Sequence, residues 1–98
     1  MKIFLDDIRP APGGWILTRT VDETIRYLSS SKVTHLSLDH DIGSFVETGN
    51  DVLIWLEEQA YLGNFGVIPR VIQIHTANPA AVKRMEQAVE SIRRLKSE

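Results

Sequence analysis

Leu36-Ser37-Leu38-Asp39-His40-Asp41 decides how this chain is read: a short apolar strand runs directly into two carboxylates and an imidazole, and Gly43 follows. Working outward, two more strand-like stretches end the same way. Lys2-Ile3-Phe4-Leu5 runs into Asp6-Asp7, and Val71-Ile72-Gln73-Ile74 runs into His75-Thr76-Ala77-Asn78. Short continuous apolar runs suit buried strands. Three of them turning polar at their carboxyl ends imply one shared site.

Helical patterns fall between these strands. Trp15 to Arg19 reads as a further strand, weaker because its end is polar. Thr20 and Glu23 match a capping box, and Val21, Ile25 and Leu28 form a helical stripe that ends in Ser29-Ser30-Ser31. The central strand spans about Thr34 to Leu38. A loop from Ile42 to Glu47 leads to Thr48, which caps a helix carrying Val52, Leu53, Trp55, Leu56 and Ala60 inward and Glu57 and Glu58 outward. Gly63 or Gly66 stops it. A strand over about Arg70 to Ile74 precedes the last helix, with Asn78 as its cap and Pro79 at its first position, where a missing N–H costs nothing. Its expected stripe is Val82, Met85, Val89, Ile92 and Leu95. The first loop, Asp6 to Gly14, holds two prolines and two glycines and is neither helix nor central strand.

The order β-β-α-β-α-β-α predicts a mainly parallel sheet with packed helices. Right-handed crossovers then put ligands beyond the carboxyl ends of the strands. That edge collects Asp6, Asp7, Asp39, His40, Asp41, His75 and Thr76.

The bulk numbers fit this picture. With 98 residues, 43% of them hydrophobic and 24% charged, one globular domain over residues 1–98 is expected. A net charge of −2 gives no general pull towards nucleic acid. There is no cysteine, which excludes disulfides and thiolate chemistry. The start goes directly into a strand, and no apolar run is long enough to cross a membrane. A cytoplasmic location is expected.

Asp6, Asp7, Asp39 and Asp41 brought together repel one another unless a cation sits among them, and hard oxygen donors favour Mg²⁺, Mn²⁺ or Ca²⁺. The plainer alternative is that each aspartate caps a loop or accepts backbone N–H groups. His40 and His75 suit proton transfer at neutral pH. His35, at the opposite end of its strand, reads as structural. Thr76 and Asn78 offer a hydroxyl and an amide at a helix start, and Arg9 a guanidinium for phosphate, against readings as a cap and a surface residue. Trp15 and Trp55 read as packing.

The acidic pair closing the first strand, the aspartate closing the third and the threonine closing the fourth resemble the receiver fold. More narrowly, FLDD-x-RP-x-P (Phe4–Pro12), SLDHD-x-G (Ser37–Gly43), TG-x-D (Thr48–Asp51) and H-T-ANP (His75–Pro79) resemble the cyclic-phosphate processing receiver-like domain. That resemblance implies a flavodoxin-like three-layer α/β sandwich with a four-stranded sheet of order 2-1-3-4, truncated after the fourth strand and its helix. It also implies a phosphoesterase acting on cyclic or terminal nucleotide phosphates. Its metal, Mg²⁺ or Mn²⁺, is then held by Asp6, Asp7, Asp39 and Asp41, with His40, His75 and Asp39 catalytic and Thr76, Arg9 and Asn78 on the phosphate. The implied partner is a small nucleotide or an RNA-end phosphate. Receivers place a lysine at the end of a fifth strand, and no such strand follows here, so phosphorelay is not expected. The rival readings are a non-catalytic nucleotide-binding module and a degenerate receiver used for protein contacts.

Overall fold

The computed structural model describes residues 1–43 and 47–97. Four strands, β1 (Lys2–Leu5), β2 (Ile16–Thr18), β3 (His35–Leu38) and β4 (Val71–Ile74), form a single sheet of order β2-β1-β3-β4. Every neighbouring pair is parallel. Among the described residues three helices complete the fold: α1 (Val21–Ser30), α2 (Gly49–Tyr61) and α3 (Pro79–Ser97). The expected element order and strand order are both present. The expected loop from Ile42 to Glu47 lies partly outside the described residues.

Local chemistry sets the helix boundaries. Thr20 Oγ1 accepts the Glu23 N–H at 3.1 Å to start α1. Thr48 and Asp51 form a reciprocal capping box at α2, where the Thr48 N–H donates to Asp51 Oδ2 at 2.7 Å. Asn78 Oδ1 accepts from the Ala81 N–H at 3.3 Å at α3. After Tyr61 the chain turns through Gly63 at φ +81°, and a short 3₁₀ turn over Phe65–Val67, which hydrophobic periodicity did not reveal, leads into β4.

Register divides the sheet into two faces. Ile3, Ile16 and Leu36 stand in line across the strands, as do Leu5, Thr18 and Leu38. Alternation puts both rows on one face. Ile3, Leu5, Leu36 and Leu38 are fully buried there, in one core with Val21, Leu28, Val52, Leu53, Leu56, Met85 and Ile92 from the helices. The crossovers β2-α1-β3 and β3-α2-β4 step across the sheet in the same direction, so right-handed connections stack their helices on one face. α1 packs against α2, and α2 against α3.

The other face bears Phe4, Leu17, Ser37 and Gln73. Because the β1–β2 connection is a proline- and glycine-rich loop, side-chain rings cover this face in place of a helix. Trp15 meets Phe4 edge-on at 6.3 Å, and His75 stacks on Phe4 at 4.1 Å with the ring planes 7° apart. His35 meets Trp15 edge-on at 6.1 Å, in keeping with its structural reading.

Two buried stripes differ from the expected ones. In α1, Thr24 is buried together with Val21 and Leu28. Its hydroxyl donates to Thr20 O at 2.9 Å and accepts from Thr18 Oγ1 at 2.7 Å, so a polar residue is satisfied inside the core. In α3 the deepest positions are Ala81, Met85 and Ile92, with Val82 and Val89 half-buried beside them. Ala81 is fully buried, and a search for large apolar residues overlooks it.

Candidate active site

The ladder continues one residue past each strand. Asp39 N–H donates to Leu5 O at 3.0 Å, His75 N–H to Leu38 O at 3.0 Å, and Asp6 N–H to Thr18 O at 3.1 Å. Alternation therefore sends Asp6, Asp39 and His75 out on the ring-covered face, in one row at the carboxyl edge of the sheet. One ligand atom from each lies within 4.8 Å of the others. Beside them, Asp6, Asp7, Ile8, Arg9, Asp39, Asp41, Thr76 and Ala77 line a cavity of about 350 Å³.

Asp6 anchors the row. It is 1% exposed, and its Oδ1 accepts the N–H groups of Ile8 and Arg9, both at 2.9 Å. These bonds bend the first loop over the strand end. Its Oδ2 faces His75 Nε2 at 3.1 Å and the Arg9 guanidinium at 3.9 Å. Burial opposes the charge on Asp6, but the two backbone donors and His75 outweigh it and hold the carboxyl below its usual range.

His75 has both ring nitrogens engaged, because Nδ1 lies 2.7 Å from Ser37 Oγ. An ionised Asp6 only accepts, so Nε2 carries the proton and Nδ1 accepts from the serine hydroxyl; this tautomer follows from the hydrogen-bond network. Burial pushes the imidazole below its ordinary range, although Asp6 and Asp39 pull the other way. The ring is therefore neutral at pH 7. Arg9 Nη1 donates to the His75 carbonyl at 2.7 Å, tying the first loop to the end of β4. Arg19 Nη1 does the same for the Asp6 carbonyl at 3.0 Å.

The remaining candidates are placed as follows. Asp39 Oδ1 accepts the His40 N–H at 2.8 Å. His40 Nδ1 lies 2.9 Å from Asp41 Oδ1; its Nε2 has no partner among the described residues, and the ring is 14% exposed and does not line the cavity. Asp7 and Asp41 line the cavity but stand outside the close set of Asp6, Asp39 and His75. Gly43, at φ +75°, lets its loop approach Asp7, since a Cβ there would sit 3.2 Å from Asp7 Oδ2. Thr76 lines the cavity, and its Oγ1 accepts the Asn78 N–H at 3.3 Å. Asn78 itself spends its side-chain oxygen on the α3 cap. Ser37 is the site residue that sequence reasoning passed over. Its signal is its place one register step behind Asp39 on the same face.

The His75 arrangement fixes the sign of a pH effect. The unfolded imidazole takes a proton near its ordinary pKa of 6.5, and the folded one only at lower pH. Between those values the unfolded state holds more protons, so stability falls as pH drops below about 6.5. In EDTA, the melting temperature should fall between about pH 8 and about pH 5, and His75→Gln should flatten that fall. Equal slopes in both proteins refute the assignment.

A family model for the cyclic-phosphate processing receiver domain matches residues 1–91. No curated protein and no solved structure matches the chain. The family match runs from β1 into α3 and takes in every residue of the acidic edge, and the parallel 2-1-3-4 sheet is a receiver-like one. The chain belongs to the cyclic-phosphate processing receiver domain family.

Proposed function

We propose that the protein is a metal-assisted phosphoesterase that hydrolyses a cyclic or terminal nucleotide phosphate. The observation that carries this reading is the convergence of Asp6, Asp39 and His75, with one ligand atom each inside 4.8 Å, the two carboxylates lining the cavity. The two carboxylates are a chemically suitable donor pair for a divalent ion, Mg²⁺ or Mn²⁺, and His75, with both ring nitrogens engaged, holds Asp6 from behind. Asp6 and Asp39 would hold the ion, with Asp7 and Asp41 lining the same cavity. Bound there, it supplies charge that polarises a phosphoryl oxygen and acidifies water.

The chain's own groups do the rest. Thr76 and the free part of the Arg9 guanidinium bind phosphate oxygens, with the Asn78 end of α3 behind them. Water attacks phosphorus as the P–O ester bond breaks. Its proton goes to His40 Nε2, whose other nitrogen is held by Asp41. The departing alkoxide takes a proton from solvent, to which His40 later returns its own, while His75, neutral with its Nε2–H on Asp6 and its Nδ1 on Ser37, keeps the Asp6 carboxylate in place. The alternative nucleophile is Asp39 itself, giving an acyl phosphate.

A second reading, non-catalytic nucleotide binding, is favoured by one observation: both nitrogens of His75 are already engaged. ³¹P NMR of 2′,3′-cyclic, 3′,5′-cyclic and terminal-phosphate nucleotides with Mg²⁺ or Mn²⁺ separates the two. A new resonance growing beyond one equivalent of protein establishes turnover. Removing His40 by alanine substitution should then lower kcat by about 10²-fold or more while the fold survives. Signals that broaden without conversion reject the phosphoesterase in favour of binding.

A further inference from the structure

At the opposite, amino-terminal edge of the sheet lies a second cavity of about 360 Å³, lined by Lys32, Val33, Thr34, Phe65, Gly66, Ile68, Arg70 and Lys96. Three segments build it: the approach to β3, the 3₁₀ turn with the approach to β4, and the last turn of α3. Its floor is apolar, since Val33 and Ile68 are buried at 8% and 7% exposure. One wall is the Phe65 ring, which is 38% exposed. Its rim is cationic. Lys32, Arg70 and Lys96 are all exposed, and Arg93 donates Nη1 to the Arg70 carbonyl at 3.5 Å, adding a fourth positive charge beside them.

None of these cations has an ion-pair partner among the described residues. The ion pairs described there, Arg9–Asp6, His40–Asp41 and His75–Asp6, all lie at the far edge of the sheet. A chain of net charge −2 has thus gathered positive charge, unpaired among the described residues, around one small cavity. Converging cations repel one another and attract an anion, most of all where apolar walls lower the local dielectric. An arginine fork with two lysine ammonium groups suits phosphate oxygens. The exposed face of Phe65 suits a flat ring. The volume stands at the small end of ligand pockets, which run about 300–1,000 Å³, so one ring with one phosphate fills it.

We propose that this cavity is a second ligand site, which takes a phosphate ester of mononucleotide size with its phosphate on Lys32, Arg70 and Lys96 and its ring against Phe65. The site needs no metal and shares no residue with the acidic edge, so it stands or falls independently of the phosphoesterase reading.

The test is an amide ¹H–¹⁵N NMR titration of the full chain in EDTA with AMP, alongside adenosine and inorganic phosphate. AMP should move the amides of Lys32, Val33, Thr34, Phe65, Gly66, Ile68 and Arg70 saturably, and adenosine should leave them in place. The double variant Lys32→Gln/Arg70→Gln, at exposed positions that carry no fold, should weaken AMP by about tenfold or more. Phe65→Leu should weaken AMP and leave inorganic phosphate unchanged. Shifts confined to Asp6–Arg9 and His75–Asn78 overturn the proposal, as does an AMP affinity indifferent to the double variant. Equal, non-saturating shifts with AMP and inorganic phosphate also overturn it, since they report an adventitious ion only.

Discussion

Gly49→Ala should lower the melting temperature by roughly 10–20 °C or prevent folding, the largest loss expected from adding a single methyl group to this chain. Gly49 is the first residue of α2, buried, and its N–H donates to the His40 carbonyl at 2.9 Å. A Cβ there would overlap the carbonyl oxygen of Asp39 and lie 2.8 Å from its carbonyl carbon. Both atoms are backbone, so no rotamer change relieves the contact. Either α2 retreats from β3, opening the core around Val52 and Leu53, or the strand end moves and takes the Asp39 carboxylate with it. Overpacking of this kind costs about 3 kcal/mol where nothing can yield, and a domain of this size loses about 4–8 °C per kcal/mol. Gly13→Ala is the control, because a Cβ at Gly13 meets nothing within 4 Å. Melting of Gly49→Ala within a few degrees of the parent protein, followed by circular dichroism, disproves the close approach.

Asp6→Ala comes second and separates packing from charge. Removing the carboxylate strips acceptors from the Ile8 and Arg9 N–H groups and from His75 Nε2. Each buried group left unsatisfied costs about 1–3 kcal/mol, less where water reaches it. A total near 3 kcal/mol in EDTA corresponds to roughly 10–20 °C in melting temperature. Asp6→Asn should cost clearly less. Its amide oxygen still accepts the two backbone N–H groups, and its NH₂ can donate to His75 once that ring switches tautomer and donates Nδ1–H to Ser37. The asparagine has lost the charge, however, so on the proposed metal-assisted reading Mn²⁺ should raise the melting temperature of the parent protein and not that of Asp6→Asn. Near-identical melting of the alanine and asparagine variants contradicts the network as drawn.

Much of this was legible in the sequence because strand ends and helix starts announce themselves locally. Asp39 and His75 follow short apolar runs, and Thr20, Thr48 and Asn78 are short polar side chains just ahead of helical stripes. The strand order rested on four motifs taken together. What escaped notice depends on partners distant in the chain. Thr24 is a core residue only because Thr18 faces it across the helix–sheet contact. Gly49 resembles any loop glycine until Asp39 is seen against its Cα. His75 presents two free nitrogens on paper, and the register of β1, β3 and β4 occupies both of them. The aspartates divided for the same reason: alternation aims Asp6 and Asp39 along with His75, whereas Asp7 and Asp41 fall one residue or more beyond that row.

The order β2-β1-β3-β4 also bears on how the chain comes together. Of the four strands, β1 comes first in chain order yet lies inside the sheet, flanked by β2 and β3, so Lys2–Leu5 must wait for partners that emerge from the ribosome later. Every strand pair is parallel and none is closed by a hairpin, so each pairing spends loop-closure entropy before it gains burial. The apolar segment Ile3-Phe4-Leu5 is thus exposed for longer during synthesis than any other core strand. Asp6-Asp7 directly behind it and Lys2 in front keep that waiting segment charged at both ends, which discourages its pairing with a second nascent chain.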